Sequence, residues 1–511
     1  MANSSKTAVN VICSVLVLAT SVGISFFLSP YIVQNIGVEA NGFVNLANNM
    51  LAYAQLIVSA LNSMASRFIT LEYVKKNYAK ANLYYNSVFW GNILIVGVLF
   101  LPAVLCIANL ELLFDVPSLI RGDVKVLFTV IFSSFFITTA LPNYDCGTFV
   151  TNRLDRSYIP QMLASILKCS ILIYLFSTFS PHVYYVGIAA FVSTVFTLIS
   201  NAYNTHRLTP ELAIRFIDSK PIISISAMKE LVLSGVWNSI HNVGQLFLSG
   251  LDLLLCNLTF SSTAMGIISL SKMLPDLFQQ LGSTVCAAFL PDLTIIYARE
   301  DWKGLFNSIR RSMNITAFLL TIPLACLIAF GDTFYSLWVP SQNPHLLQIL
   351  SFLSIFGLIV TSGIQVLYSV FTITNHVREN ALAVLLSGAI SLVFTIILIR
   401  NTDLGIFAVA GTSSFVSLLR NLLFTVPMGA RYLGLKWTTF YPQIGKTIFT
   451  TTVVSIFGLL IRLIIPQSSW LYFVLSVVAL VACGFGVNYY VILSKEDRRS
   501  IRLAIRKLRL N

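Results

Sequence analysis

The sequence predicts an all-α integral membrane protein of about 14 transmembrane helices: two six-helix lobes related by a parallel repeat, plus two extra C-terminal helices. Three observations lead there. Of the 511 residues, 56% are hydrophobic and only 10% charged, whereas a soluble domain carries roughly 25% charged residues. Apolar runs of the about 20 residues needed to cross a bilayer recur along almost the whole chain, leaving no soluble domain between them. The chain also repeats itself weakly at an offset of 224 residues.

The first run, "AVNVICSVLVLATSVGISFFLSPYIV", is too long for a signal peptide and lacks a small-residue cleavage pattern. It is read as a spanning helix near 8–33. Loop punctuation places five more near 43–66, 86–108, 124–143, 159–178 and 183–203, completing a first lobe over 1–218. The polar stretch "THRLTPELAIRFIDSKPIISISAMKE" links this lobe to the next. Helices near 231–256, 264–290, 309–331, 346–372, 380–399 and 404–429 make a second lobe over 219–436. Two further helices, near 444–465 and 469–494, fill 437–494, and a tail follows over 495–511.

Charge sets the orientation. With both termini in the cytoplasm, 26 of the 33 Lys and Arg fall on cytoplasmic segments. The net charge is then +14 inside, −2 outside and +1 within the spans, the bias that the positive-inside rule demands. The tail "KEDRRSIRLAIRKLRLN" puts Ile501, Ile505 and Leu508 on one helical face and Arg498, Arg502, Arg506 and Arg509 on another. It reads as a basic amphipathic helix on anionic membrane lipid, so the positive balance serves a membrane surface and implies no nucleic acid.

The repeat matches "GFVNLANNM" with "GIISLSKML", pairing Gly42 with Gly266 and Leu46 with Leu270. Further on, Thr70, Tyr73, Lys75 and Tyr78 match Thr294, Tyr297, Arg299 and Trp302. The offset spans an even number of helices, so both copies share one orientation, the parallel-repeat plan of transporters. Two such lobes would enclose a cavity open alternately to either side.

Ionisable groups inside spans are expensive and usually face a pathway. Asp252 falls near the outer end of the seventh helix, and Lys272 and Asp276 lie one turn apart on the eighth, within reach of Asp252. They form either a cavity-facing cluster that titrates or binds a cation, or an interhelical ion pair that fixes the hairpin. Pro275 between them removes a backbone hydrogen bond, so a kink is expected. Lys168 sits mid-span with no acidic neighbour on its helix. Arg420 is either a cavity residue or one that snorkels to the interface. Arg67 at the end of the second helix is either a path residue or a positive-inside anchor. Together the cations make a net-basic path suited to a phosphate or pyrophosphate. At the matching positions of the first copy stand Asn48 for Lys272 and Ala52 for Asp276, so the second lobe carries the charge.

Other chemistries find no support. "IGKT" at 444–447 lacks the earlier glycine of a P-loop, the position being Phe440. The eight cysteines stand singly without a CxxC pair, and the five histidines show no metal spacing. No metal, cofactor or catalytic residue is expected.

The stretch "LSPYIVQNIGVEANGFVNLANNMLAYAQLIVSALNSMASRFITLEYVKKNYAKANLYYNSV", Leu28 to Val88, resembles the N-terminal region of bacterial polysaccharide transporters. These are the Wzx-type oligosaccharide-lipid flippases of the multidrug/oligosaccharidyl-lipid/polysaccharide exporter superfamily. "SGLDLLLCNLTFSSTAMGIISLSKMLPDL" is similar to the corresponding hairpin of the second lobe. The resemblance implies a non-enzymatic membrane transporter in the bacterial cytoplasmic (inner) membrane. It would carry an undecaprenyl-pyrophosphate-linked glycan by alternating access, alongside glycan polymerase or glycosyltransferase partners. Lys168, Lys272, Arg420 and Arg67 would then meet the pyrophosphate, and Asp252 or Asp276 would couple transport to H+ or Na+. Three alternatives stay open. A MATE-type cation/drug antiporter favours an acidic cavity, and the predicted first six helices hold no mid-span carboxylate. A lipid II flippase shares the plan. A membrane glycan polymerase would need a larger outer loop than any seen here.

Overall fold

The structure is a computed structural model describing residues 2–142, 144–151, 153–214, 216–217, 220–221, 223–494 and 498. All fourteen predicted spans coincide with helices. Among the described residues, eleven helices are long and apolar enough to cross a membrane by length and composition. The predicted spans 8–33, 43–66 and 231–256 complete the set as α1 (Ala2–Asn35), α2 (Val38–Asn62) with α3 (Ala65–Val74), and a seventh, interrupted helix described below. The basic tail lies outside the described residues except for Arg498.

One compact unit comprises Met1–Leu246 and Leu253–Gly266. After α3 come α4 (Tyr78–Ala108), α5 (Leu110–Leu113), α6 (Arg121–Ala140), α7 (Asp145–Val150), α8 (Asp155–Thr178), α9 (Tyr184–Leu208) and α10 (Ile225–Gln245). In this unit α8 packs on α1 and α9, while α6 packs on α2, α4 and α9. Lipid is as apolar as leucine, so helix contacts in a bilayer depend on close packing and interhelical hydrogen bonds. Asn62 and Asn92 illustrate this: each donates its amide to the other's oxygen, at 2.7 and 3.2 Å. The linker is pinned in the same way, Asn82 and Asn86 donating to the carbonyls of Glu211 and Ala213 at 2.6 and 2.9 Å. It also carries a minimal antiparallel ladder, β1 (Phe216–Ile217) against β2 (Lys220–Pro221), in a segment read from sequence as plain connection.

The second unit comprises Phe247–Asp252 and Ile267–Asn511. Its elements are α12 (Ser262–Ala298), α13 (Trp302–Trp338), α14 (Pro344–Thr361), α15 (Leu367–Ile373), α16 (Val377–Asn401), α17 (Ile406–Arg420), α18 (Val426–Tyr432), α19 (Tyr441–Ile464) and α20 (Trp470–Val491); the preceding α11 (Asp252–Thr259) lies almost wholly in the first unit. The last two helices pack on α13. A Cβ on Gly458 would stand 2.6 Å from that of Ala329, so only glycine lets α19 come so near. Asn488 donates to the Phe318 carbonyl and the Thr321 hydroxyl at 3.0 and 2.8 Å. Arg462 holds Asp332 through two bonds of 2.8 and 2.6 Å. The helix α12 runs unbroken through Pro275 for 37 residues.

Four helices predicted as continuous are interrupted. The second breaks at Ser63–Met64, and the tenth breaks over 362–366 between α14 and α15. There a Cβ on Gly363 would lie 2.7 Å from Thr447, so the close approach of α19 needs the glycine that disrupts the helix. The seventh and twelfth carry π-turns at Leu246–Gly250 and Asn421–Thr425. Such turns release carbonyls from the regular ladder and recur at functional sites.

The duplication is visible in backbone detail. Lys76 and Glu300, 224 residues apart, both take the left-handed conformation, at φ 60° and 57°. Each precedes a helix cap: Asn77 accepts from the Lys80 amide at 3.2 Å, and Asp301 from the Gly304 amide at 2.8 Å. Each turn is crossed by an edge-to-face ring pair, Tyr73–Tyr78 at 5.1 Å and Tyr297–Trp302 at 5.6 Å.

Candidate functional site

The π-turn Leu246–Gly250 and the start of α11 place Asp252 where it is 5% exposed. Lys272 on α12 forms an ion pair with Asp252 and donates to the Ser249 carbonyl at 3.0 Å. The π-turn supplies that acceptor. Behind Lys272, the Ser351 hydroxyl of α14 donates to the Ser271 carbonyl at 2.7 Å and meets the Tyr335 hydroxyl of α13 at 2.6 Å. Two helices, α13 and α14, therefore fix the α12 backbone from which Lys272 projects. Asp276, one turn further along, is exposed and forms no ion pair among the described residues.

Arg420 ends α17 where the second π-turn begins. Its guanidinium lies 6.0 Å from the centre of the Tyr368 ring. The Tyr368 hydroxyl donates to the Asn421 side chain at 2.9 Å, which locks the platform. The Nε and Nη1 donors of Arg420 are buried and find no hydrogen-bond partner among the described residues. A buried donor without an acceptor costs about 1–3 kcal/mol, more when charged, so this edge is chemically ready for an anion. The α14–α15 break, just before Tyr368 in the chain, holds further buried polar atoms without partners among the described residues, on Ser362 and Gln365, and α19 adds Gln443.

Two other predicted residues lie in the first unit. Lys168 on α8 is half-buried, without a hydrogen bond or ion pair among the described residues, and Arg67 on α3 is exposed. The sequence-derived set therefore contains one formed pair, Lys272–Asp252, with Arg420 and Asp276 elsewhere in the same unit.

One residue escaped the sequence reading. The stretch "YDCGTFV" lies in a predicted cytoplasmic connection, yet it forms α7, with Cys146, Gly147 and Thr148 buried. A Cβ on Gly147 would lie 2.8 Å from the Thr205 backbone, so glycine admits α7 against α9. This carries Asp145 to the wall of a cavity of about 450 Å³ lined also by Gln55, Asn62, Asn92, Thr197 and Asn201. Asn201 donates to the Asp145 carboxylate at 2.7 Å. The signal available was compositional: the run "CGTFV" after Asp145 is apolar and free of lysine and arginine within an otherwise charged connection.

A clasp closes the other end of the first unit, again between repeat-matched positions. Glu39 accepts from the Thr263 hydroxyl at 2.7 Å, and these residues are 224 apart. A Cβ on Gly42 would lie 3.0 Å from the Gly266 Cα, and one on Gly266 would collide with the Val38 carbonyl. Asp115 caps the next helix by accepting from the Ser262 amide at 3.0 Å.

No family model matches the chain. It is similar to a protein of Bacillus subtilis (strain 168) described as uncharacterized membrane protein EpsK, with 26% identity over 98% of both chains. Among solved structures it resembles the lipid II flippase MurJ in an inward closed conformation, at TM-score 0.63 and 13% identity, covering 94% of this chain and 98% of that one. It also resembles a multidrug resistance MATE family transporter of the MOP superfamily in an inward-facing conformation. There the TM-score is 0.60 and the identity 13%, over 81% of this chain and 94% of the other. The chain is a multi-pass membrane protein with the fold these transporters share.

Proposed function

We propose that this protein is a flippase that moves an undecaprenyl-pyrophosphate-linked glycan across the bacterial cytoplasmic membrane by alternating access. The observation that carries the reading is Arg420, a guanidinium with two buried donors unpartnered and an aromatic platform beneath it. A planar fork of donors suits pyrophosphate oxygens, which can accept two parallel bonds. Lys168 and Lys272 add positive charge along the spans, and Arg67 adds it at a span end. Lys272 reaches the cargo only by exchanging its Asp252 partner, which links anion binding to release of a carboxylate. That carboxylate, or Asp276, would then take up the coupling H+ or Na+. The clasp at Glu39–Thr263 and Gly42–Gly266 is the outer gate in this scheme. Glycan polymerases or glycosyltransferases would act before or after the transfer step.

A second reading, the cation antiporter, is favoured by Asp145. The first unit has an accessible carboxylate in an amide- and hydroxyl-lined cavity after all. One experiment separates the two. Proteoliposomes are loaded with a fluorescent undecaprenyl-pyrophosphate oligosaccharide in one arm and a cationic dye in the other. Protein-dependent movement of the lipid, with the dye retained, supports the flippase. Export of the dye with a stationary lipid assigns the protein to the antiporters.

A further inference from the structure

On the outer surface of the first unit, at the end where α8 begins and α9 finishes, lies a groove of about 720 Å³. Its polar end is cationic. Arg153 is engaged by Asp155 through two bonds of 3.1 and 3.2 Å, while the side chain of Arg156 has no hydrogen-bond partner among the described residues. The Arg156 backbone is fixed, its carbonyl accepting from Asn204 at 3.0 Å. Along α9 the spacing of four places Arg207, Tyr203 and Ile199 on one face, running from cation to aromatic ring to aliphatic chain. Along α8 a cation is likewise followed by aliphatic chains, Arg156 by Ile159 and Leu163. Tyr203, Ile199 and Ile159 are 62%, 66% and 45% exposed, so both stripes are open. From Arg156 to Leu163, one turn past the groove's lining residue Ile159, the rise is about 10 Å, enough to lead from a headgroup onto an acyl chain.

We infer that this groove is a binding site for an anionic phospholipid. Its phosphate would sit between Arg156 and Arg207 at the Tyr203 ring, and an acyl chain would follow Ile159, Leu163 and Ile199. Arginines at the membrane edge attract anionic headgroups, and tyrosine belongs at that depth. Free phosphate would use the cations alone and leave the aliphatic stripes uncovered. The site is independent of the cargo: none of these residues belongs to the proposed transport path.

The test uses the full-length protein stripped of lipid in detergent. Phosphatidylglycerol and phosphatidylcholine of identical chains are titrated, and bound lipid is counted by native mass spectrometry. Wild type is expected to retain phosphatidylglycerol in preference. Arg156→Gln should weaken phosphatidylglycerol about fivefold, the effect of one interfacial arginine, and leave phosphatidylcholine unchanged. Ile159→Ser should weaken both lipids, and Arg156→Lys should keep most of the preference, which controls for misfolding. A photoactivatable phosphatidylglycerol should crosslink to peptides containing 156–163 and 199–207. Equal retention of the two lipids, an unchanged Arg156→Gln, displacement by inorganic phosphate, or crosslinks confined to other helices would each overturn the assignment.

Discussion

The hairpin α2–α3–α4 and the hairpin α12–α13 are copies of one another that have been given different chemistry. Their turns agree residue for residue, from the left-handed Lys76 and Glu300 to the capping Asn77 and Asp301 and the crossed aromatic pairs. Their span interiors do not. Where α12 has Lys272, engaged with Asp252 and the Ser249 carbonyl, α2 has Asn48, whose amide turns back to the Val44 carbonyl of its own helix at 3.0 Å. The turn is thus retained, while the spans diverge: α2 and α3 are broken at Ser63–Met64 where α12 is continuous, and of these two matched positions only Lys272 is charged. A duplicated hairpin can therefore keep the form of its turn while its two copies carry different polar chemistry.

The sharpest way to break that contrast is to remove one charge. Asp252→Leu removes the carboxylate that pairs with the half-buried Lys272, and should cost about 3–5 kcal/mol in reversible unfolding from mixed detergent micelles. Asn48→Ala should stay within about 0.5 kcal/mol. Adding Lys272→Met to Asp252→Leu should recover most of the loss. Equal effects at the two positions would mean that the ion pair does not distinguish the copies.

The clasp comes next in size. Gly266→Val drives a side chain against the Val38 carbonyl and should cost about 1–3 kcal/mol by overpacking. Gly97→Val, where an added Cβ meets nothing within 4 Å, should be neutral. If the clasp is the outer gate, Gly266→Val should also raise labelling of a Thr263→Cys variant by an impermeant maleimide.

The two caps test the likeness. Asn77→Ala and Asp301→Ala should each cost about 1 kcal/mol, the usual value of an N-cap side chain. A clear inequality in their thermal midpoints would show that the turns are alike in shape but not in load.

The smallest effect is one of pH. The Tyr73 hydroxyl donates to Glu211 at 2.6 Å and holds that carboxyl below the ordinary glutamate range. The folded state therefore binds fewer protons than the unfolded one. The stabilisation is present above the unfolded glutamate pKa of about 4.3 and is lost as pH falls through the lower folded value. Tyr73→Phe should flatten this acid-side loss, whereas Tyr297→Phe, at the repeat-matched ring, should leave it unchanged.

Much of this was legible in the sequence because lipid imposes a simple code: a run of apolar residues long enough to span is a helix. The Gly42–Gly266 match identified the repeat, and the spacing of Asp252, Lys272 and Asp276 anticipated the pair that forms. The interruptions were not legible. Hydropathy averages over a window and passes straight through Gly363 or the π-turn at Leu246–Gly250, since a broken helix is as apolar as an intact one. Asp145 was hidden for the complementary reason. A short segment between spans reads as a loop unless tertiary packing, here Gly147 against Thr205, draws it inward. The orphan donors of Arg420 likewise depend on what fails to approach them, which no single sequence encodes.

The most direct test of the proposed function is the rate at which proteoliposomes move a fluorescent undecaprenyl-pyrophosphate oligosaccharide, compared for wild type, Arg420→Gln and Arg420→Lys. If Arg420 grips the pyrophosphate, Arg420→Gln should abolish movement, and Arg420→Lys, which keeps the charge but loses the fork, should retain a fraction of it. Wild-type movement by Arg420→Gln would contradict the assignment of Arg420 to the cargo.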